Sequence, residues 1–167
     1  MCNRIPEELL TKLGENVIDF AISNVKAGGL PFAAIIVNQN GDIIGKGVNQ
    51  VANHLDCTAH AEIQAIRKAS RNVNHFSLEG TTLIASGEPC ALCYMAIRMA
   101  KISKVIIVSD RYEAKKNGFD YLWTYEYLNA SLYQELQIVA LDNDRKLLPF
   151  QLAKLDFSHY AVAVLPA

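Results

Sequence analysis

The chain alternates short apolar runs rich in β-branched residues with longer stretches whose apolar residues recur at helical spacing. Residues 6–27 carry the first helical pattern, which ends at a Gly-Gly pair. The apolar runs at 32–37 and 43–49 flank an Asn-Gly sequence that is typical of a hairpin turn. Because a hairpin pairs its strands antiparallel and the later strands alternate with helices, the pattern predicts a layered α/β fold with a mixed sheet.

The rest of the chain continues this alternation. Thr58 is predicted to cap one helix and Pro89 to open another. The stretch 110–129 is expected to be helical in pieces, with a turn at Asn117-Gly118. With 167 residues and no repeat or linker, residues 1–167 are predicted to form one domain. The remaining helices are predicted at 58–72, 90–100 and 149–162, and the remaining strands at 81–85, 104–108 and 136–141.

The charge balance favours a small substrate over a nucleic acid. Lys and Arg total 16 and Asp and Glu total 17, which leaves a net charge of −1. Nucleic-acid binders usually carry an excess of cations that neutralise phosphates. The chain start has no apolar signal core, and no apolar run approaches the ~18 residues that would span a bilayer. We therefore expect no membrane contact and a cytoplasmic location, where the four cysteines would be free or metal-bound.

Two short motifs carry the chemistry: Thr58-Ala59-His60-Ala61-Glu62 and Pro89-Cys90-Ala91-Leu92-Cys93. Each is weak alone, but their combination is specific. Cys90 and Cys93 are three residues apart at a predicted helix start, so their sulfurs share one face. His60 is expected in the first turn of another helix on the same side of the sheet. Three such ligands leave one position of a tetrahedral zinc site open, as catalytic zinc sites do.

Glu62 lies two residues from His60 and could reach the open position without occupying it. A carboxylate there can take a proton from water and deliver it to a leaving amine. This arrangement favours hydrolytic deamination of an amino-substituted heterocycle, with one zinc per subunit.

Other interpretations of these residues remain open at this stage. Cys90 and Cys93 could form a redox dithiol, or a structural zinc site with Cys57 or His54 as a fourth ligand. Cys57 is predicted instead to be a small buried apolar residue. Glu62 could also act as a first-turn acid that stabilises a helix dipole.

A longer set of residues matches a known family. The matching segments are Pro31 to Val37, Asn49, Thr58 to Glu62, Ala65 to Ala69, Glu88-Pro89-Cys90, Cys93 and Asn117 to Asp120, with a weaker match at Pro149-Phe150-Gln151. Over roughly residues 27–151 the chain resembles the cytidine-deaminase-like superfamily and its guanine and nucleoside deaminase branch. The resemblance implies a three-layer α/β/α fold with a five-stranded sheet. It also implies a homodimer in which a C-terminal segment, about 142–167, contacts the partner subunit.

The resemblance implies roles for residues that would bind a substrate. Phe32 would pack on the ring, although plain core packing is the alternative. Asn49 would hydrogen-bond the base or sugar, although it could instead cap a strand end. The backbone N–H of Ala61 would meet a ring carbonyl, and the carbonyls of Ser86 and Glu88 would receive the exocyclic amine.

Three residues depart from the pattern of the relatives. Ala33 replaces a glycine, and its methyl is expected to crowd the pocket. Cys57 replaces a proline. Tyr121 stands where the guanine deaminases that this chain resembles carry a second acid, which is implicated in recognising guanine. Asp120, the residue before Tyr121, remains the candidate acid. The aromatic residues Tyr121, Trp123, Tyr125 and Tyr127 alternate along the chain, which favours packing at a dimer interface, with a pocket entrance as the alternative.

The resulting hypothesis is zinc-dependent deamination of a purine base or related heterocycle, with guanine as the leading substrate. The alternatives are a tRNA adenosine deaminase, a cytosine or cytidine deaminase, and a non-catalytic zinc module. Arg67, Lys68 and Arg71 could form a small basic patch for RNA, but a solvated helix face is the interpretation we favour.

Overall fold

The computed structural model of the protein describes residues 5–127 and 136–156. Its centre is a five-stranded sheet with the strand order β2-β1-β3-β4-β5. The strands are β1 (Ala33–Val37), β2 (Ile43–Val48), β3 (Thr82–Gly87), β4 (Lys104–Ser109) and β5 (Gln137–Ala140). The helices are α1 (Glu7–Lys26), α2 (Val51–His54), α3 (Ala61–Val73), α4 (Ala91–Met99), α5 (Arg111–Lys116) and α6 (Leu148–Asp156), with a 3-10 helix at Leu122–Tyr127.

The sheet is mixed, as the sequence predicted. The first two strands form an antiparallel hairpin with Ala33 opposite Val48, and β1 also pairs antiparallel with β3. The strands β3, β4 and β5 then run parallel. Their carboxyl ends therefore meet at one edge, where α4, α5 and the segment after β5 begin.

Helices cover both faces of the sheet and make the three predicted layers. On one face, small residues of α3 such as Ala65 and larger ones of α4 such as Ile97 pack on Ile36 and Val105. On the other face, α1 and α6 pack on the strands, with Val17 of α1 buried in that cluster. Because α3 and α4 share a face, the two motifs lie on the same side of the sheet, as predicted.

Helix α3 sits directly on the backbone of β2, and glycine makes this possible. A Cβ on Gly45 would come within 2.6 Å of the Ala65 carbonyl oxygen and 2.7 Å of the Ala69 Cβ. A Cβ on Gly47 would clash with the carbonyl oxygen of Ala61, the first residue of the helix. The two glycines therefore set the depth at which α3, with its first turn, rests on the sheet.

One prediction about a helix end is wrong, and another extends beyond the residues that the structure describes. Thr58 does not cap α3, because the Asp56 carboxylate accepts hydrogen bonds from its backbone N–H (2.8 Å) and its hydroxyl (2.7 Å). These bonds hold Thr58 in a turn, and α3 begins at Ala61 with His60 as its N-cap. The predicted last helix exists from Leu148 to Asp156, and its remainder lies outside the described residues. No described helix is long and apolar enough to cross a membrane.

Candidate active site

The structure brings the three predicted ligands together. The His60 Nδ1 atom lies 3.4 Å from the Cys90 Sγ atom and 3.4 Å from the Cys93 Sγ atom. The two sulfurs are 3.7 Å apart. Within the described parts of the chain, these three residues form the group of His, Cys and acidic side chains that could hold a metal ion.

Two helix N-termini create this cluster. His60 is the N-cap of α3 and Cys90 is the N-cap of α4, each with an extended backbone. His60 is thus one residue before the helix, rather than in its first turn as predicted. Cys93 follows in the first turn of α4. The partial positive charge of both helix ends favours thiolates at this point.

The donor set and its spacing fit zinc. A tetrahedral zinc ion with bonds of about 2.3 Å to sulfur and 2.0–2.1 Å to nitrogen would separate the sulfurs by about 3.8 Å and each sulfur from the nitrogen by about 3.6 Å. The observed separations of 3.7 and 3.4 Å agree with these values. Cys57 and His54 are not members of the cluster, so the described residues supply three ligands and leave a fourth position for water.

The two thiols differ in their pKa, and the Cys90 thiol is the one that is already suited to bind a metal as a thiolate. The hydrogen bond between Cys90 and Cys93 lowers the pKa of the Cys90 thiol to about 4, and the hydrogen bond between Cys90 and His60 acts in the same direction. Burial raises the pKa of Cys93 well above its ordinary value in the metal-free protein. Cys93 therefore keeps its proton, and a metal cation would have to displace that proton in order to bind the sulfur.

Glu62 lies beside the ligands without belonging to them. It is the second residue of α3, it is buried, and its Oε2 atom is 3.3 Å from the Cys93 sulfur. Burial raises the pKa of its carboxyl group to about 7, and the negative charge of Cys90 adds to the effect. A carboxyl group with this pKa can both accept and donate a proton near neutral pH.

A cavity of about 370 Å³ opens onto the cluster. Its walls include the predicted residues Phe32, Asn49, Ala61 and Glu88, together with Glu62. Ala61 is the first helical residue of α3, so its N–H has no acceptor within the helix. Ligand sites of small molecules have volumes in this range, so the cavity is large enough for a heterocyclic base.

Phe32 combines the two roles that the sequence left open. It lines the cavity and also packs edge-on against Phe119, Tyr121 and Phe150, with ring centroids 5.5–6.0 Å away. Its ring approaches the end of β3 so closely that a Cβ on Gly87 would lie 2.9 Å from it. The ring is therefore a fixed wall of the cavity.

Asn49 is buried, and its side chain closes a turn between β2 and α2 rather than capping a strand end. Its Oδ1 atom accepts a hydrogen bond of 3.2 Å from the Val51 N–H. Its backbone carbonyl accepts one of 3.1 Å from Asn24. These bonds fix the Asn49 side chain at the cavity wall.

Two predicted substrate-binding residues do not line the cavity. The Ser86 hydroxyl is buried and accepts a hydrogen bond of 2.9 Å from the Ala33 N–H. The Asp120 carboxylate lies 2.9 Å from the Lys115 ammonium group, whose hydrogen bond lowers the pKa of Asp120. A substrate role for these two residues stays a prediction.

Two expectations about neighbouring positions were wrong. Cys57 is exposed and lines the cavity, because the turn at Asp56 directs it away from the core. Ala33 does not crowd the cavity, because its side chain packs on the opposite face of the sheet with α1.

Tyr121 and its neighbours line the cavity through contacts that the sequence did not predict. Tyr121 lines the cavity, and its hydroxyl donates a hydrogen bond of 2.8 Å to the Glu88 backbone carbonyl. Burial raises the pKa of this hydroxyl well above its ordinary value, so it keeps its proton. Phe119, Trp123 and Thr124 also line the cavity. The aromatic alternation was a signal for the pocket entrance, but it could not assign individual contacts.

The fold and the site define a class of protein. The site combines three zinc ligands, an open fourth position and a buried glutamic acid, at helix ends on one face of a mixed sheet. This combination is typical of a zinc-dependent hydrolase that deaminates a heterocycle. Comparison with known proteins gives the family. Residues 10–109 match the family described as the cytidine and deoxycytidylate deaminase zinc-binding region, and the chain belongs to that family.

Individual relatives agree with this assignment. The chain is 37% identical over 116 residues to a guanine deaminase of Bacillus subtilis, covering 69% of this chain and 74% of that protein. It is 28% identical over 148 residues to a tRNA-specific adenosine deaminase of Haemophilus influenzae, covering 88% and 86%. These comparisons and the zinc cluster make the protein a zinc-dependent hydrolytic deaminase.

Solved structures support the same fold. The X-ray structure of guanine deaminase from Bacillus subtilis superimposes with a TM-score of 0.67 and 32% identity, covering 90% of this chain and 95% of that chain. A guanine deaminase of Nitrosomonas europaea gives a TM-score of 0.72 at 23% identity, covering 85% and 81%, and shows the common fold.

Proposed function

We propose that the protein deaminates a free purine base and that guanine is its leading substrate, which water converts to xanthine and ammonia. The observation that carries this proposal is the composition of the cavity. Its apolar walls include the rings of Phe32, Phe119, Tyr121 and Trp123, and none of the described lining residues is Lys or Arg. Flat apolar walls suit a planar base, whereas a phosphate would need cations near the opening.

The described residues divide the binding work among them. Phe32 would pack on the face of the ring, and the N–H of Ala61 would donate to a ring carbonyl. The backbone carbonyl of Glu88 would accept a hydrogen bond from the amine that leaves, and Asn49 would bind the edge of the base. Each of these four residues lines the same cavity as Glu62, which makes simultaneous contact with one base feasible.

Zinc bound by His60, Cys90 and Cys93 would supply a Lewis acid that makes water a nucleophile at neutral pH. Glu62 accepts a proton from the water while the oxygen of that water bonds to the amine-bearing carbon of the ring. Glu62 then returns a proton to the amine, the carbon–nitrogen bond breaks, and ammonia leaves. The nearly neutral pKa of the Glu62 carboxyl group suits both steps.

The competing substrate is an adenosine in tRNA. The similarity to the Haemophilus influenzae tRNA-specific adenosine deaminase extends over most of the chain and keeps this candidate open. Binding of tRNA depends on phosphate contacts and weakens steeply with salt. The net charge of −1 and the absence of Lys and Arg from the described lining of the cavity favour a free base instead.

A substrate panel separates these candidates. The zinc-loaded protein is assayed for ammonia release from guanine, guanosine, adenine, cytosine, cytidine and an adenosine-containing tRNA anticodon stem-loop. We expect guanine to react with the highest kcat/KM. If the stem-loop or a pyrimidine reacts while guanine does not, the proposed substrate is wrong, although the deaminase chemistry would stand.

A further inference from the structure

The turn that carries Cys90 is held by a separate segment of the chain, residues 121–125. The Tyr121 hydroxyl donates to the Glu88 carbonyl at 2.8 Å, and the Tyr125 hydroxyl donates to the Pro89 carbonyl. The Ala91 N–H, which has no acceptor within α4, donates to the Thr124 hydroxyl at 3.2 Å. Three side chains of this segment thus bind the backbone at positions 88, 89 and 91, on both sides of the metal ligand Cys90.

Glu88 is also fixed from the other side. Its carboxylate accepts hydrogen bonds from the Arg111 N–H at 2.9 Å, the Arg111 guanidinium at 2.5 Å and the Tyr94 hydroxyl at 3.1 Å. The Arg111 guanidinium in turn lies 3.5 Å from the ring centroid of Tyr125. The position of the Glu88 backbone therefore does not depend on Tyr121 alone, and loss of the Tyr121 hydroxyl should leave the turn and Cys90 in place.

The hydrogen bond between Tyr121 and Glu88 has a consequence for recognition. A tyrosine hydroxyl has one proton, and here the hydroxyl donates that proton in its hydrogen bond to the Glu88 carbonyl. The Tyr121 oxygen can then act toward a third group only as an acceptor. The carbonyl oxygen keeps a second lone pair, so the two oxygens make a pair of neutral acceptors 2.8 Å apart, from two residues that both line the cavity.

The geometry points to Tyr121 as a specificity-determining residue whose hydroxyl oxygen, together with the Glu88 carbonyl, accepts the two N–H groups of the substrate's exocyclic amine. The inference rests on the proposed function, in which the Glu88 carbonyl faces that amine. An acceptor pair without a free proton favours a base with an amino group over one with hydrogen at the same carbon.

The test compares guanine with hypoxanthine, which lacks only the exocyclic amine. Both bases are titrated calorimetrically into zinc-loaded Glu62→Gln protein, in which we expect turnover to be slowed by about 10²- to 10⁴-fold, and into the same protein with Tyr121→Phe. We expect the added substitution to weaken guanine binding by about 3- to 10-fold, the effect of one hydrogen bond, and to leave hypoxanthine binding unchanged. Tyr127→Phe is the matched control, because Tyr127 is an exposed tyrosine of the same 3-10 helix that does not line the cavity.

The outcomes separate this inference from the proposed function. If Tyr121→Phe weakens both bases equally, Tyr121 is only a wall of the cavity, and if it weakens neither, the hydroxyl plays no part; either result overturns the inference alone. If Glu62→Gln protein binds neither base and the wild type releases no ammonia from guanine, the proposed substrate fails with it. Zinc content and melting temperature are measured for each variant, and we expect both to match those of the parent.

Discussion

Among single residues, Glu62 is the one on which the proposed proton transfer depends most. Its carboxyl group is buried 3.3 Å from a metal-ligand sulfur and is the described acid that lies beside the cluster. Glu62→Gln keeps the shape of the side chain but cannot take up a proton. We expect kcat to fall by about 10²- to 10⁴-fold while one zinc per chain is retained. Steady-state ammonia release and metal analysis measure the two quantities.

The control for this substitution is Glu8→Gln, an exposed acid in the first turn of α1. It should leave both quantities unchanged. Activity of Glu62→Gln within a few-fold of the wild type would refute the assigned proton transfer.

The cysteines allow a matched comparison at the same scale. Cys90→Ser removes a donor that lies 3.4 Å from His60 and 3.7 Å from Cys93, so we expect loss of stoichiometric zinc after dialysis. Cys57→Ser changes an exposed thiol at the cavity wall and should retain the metal. Loss of zinc from the Cys57 variant would support the alternative of a structural zinc site with Cys57 as the fourth ligand. A full equivalent of zinc in the Cys90 variant would overturn the ligand assignment.

At the scale of elements, the first turn of α3 depends on the glycines of β2. Gly47→Ala would push a methyl group against the Ala61 carbonyl, within 2.5 Å of the Ala65 nitrogen. Overpacking of this kind costs about 1–3 kcal/mol, and here backbone atoms form the obstacle. We therefore expect a loss of about 3 kcal/mol in the free energy of unfolding, measured with urea, and reduced activity because α3 carries Glu62.

Lys46→Ala is the control on the same strand. Lys46 is exposed, and its ammonium group lies 4.9 Å from the ring centroid of Phe20. Its loss should cost under about 1 kcal/mol. Equal destabilisation by the two substitutions would show that the glycine does not set the helix depth.

The elements also show what the sequence could and could not reveal. The hairpin, the helical periods and the ligand spacing are local properties, and each was predicted within a few residues. Thr58 was wrongly predicted to cap α3, because it is hydrogen-bonded to Asp56 in a turn. The spacing of apolar residues contains no signal for that turn. The bond from Tyr121 to Glu88 joins residues 33 positions apart, and only the docking of the 3-10 helix against the turn determines it.

At the scale of the whole molecule, zinc should contribute to stability because its ligands join the N-termini of α3 and α4. Ligand binding stabilises a fold by about 4 kcal/mol when the free ligand is present at about 1,000 times its Kd. For a chain of this size, a strong chelator should then lower the melting temperature by about 10 °C. Scanning calorimetry with and without chelator measures this shift. The Cys90→Ser protein should not respond to chelator, and a wild type that does not respond either would contradict a bound zinc that bridges the helices.

Assembly is the other property at this scale. A homodimer in which residues 142–167 contact the partner stays a prediction, and part of that segment lies outside the described residues. The exposed apolar residues Leu92, Met95 and Met99 on α4 are compatible with a partner on that side. The cytoplasmic location likewise stays a prediction.

The deaminase activity of this protein should require one zinc ion, held by His60, Cys90 and Cys93. Ammonia release from guanine, measured as zinc is titrated into metal-free protein, tests this requirement. We expect the rate to rise in proportion to bound zinc and to level off at one equivalent per chain. Ammonia release at the full rate by the metal-free protein, or a fully zinc-loaded protein that releases no ammonia from guanine or from any other base or nucleoside in the panel, would contradict this expectation.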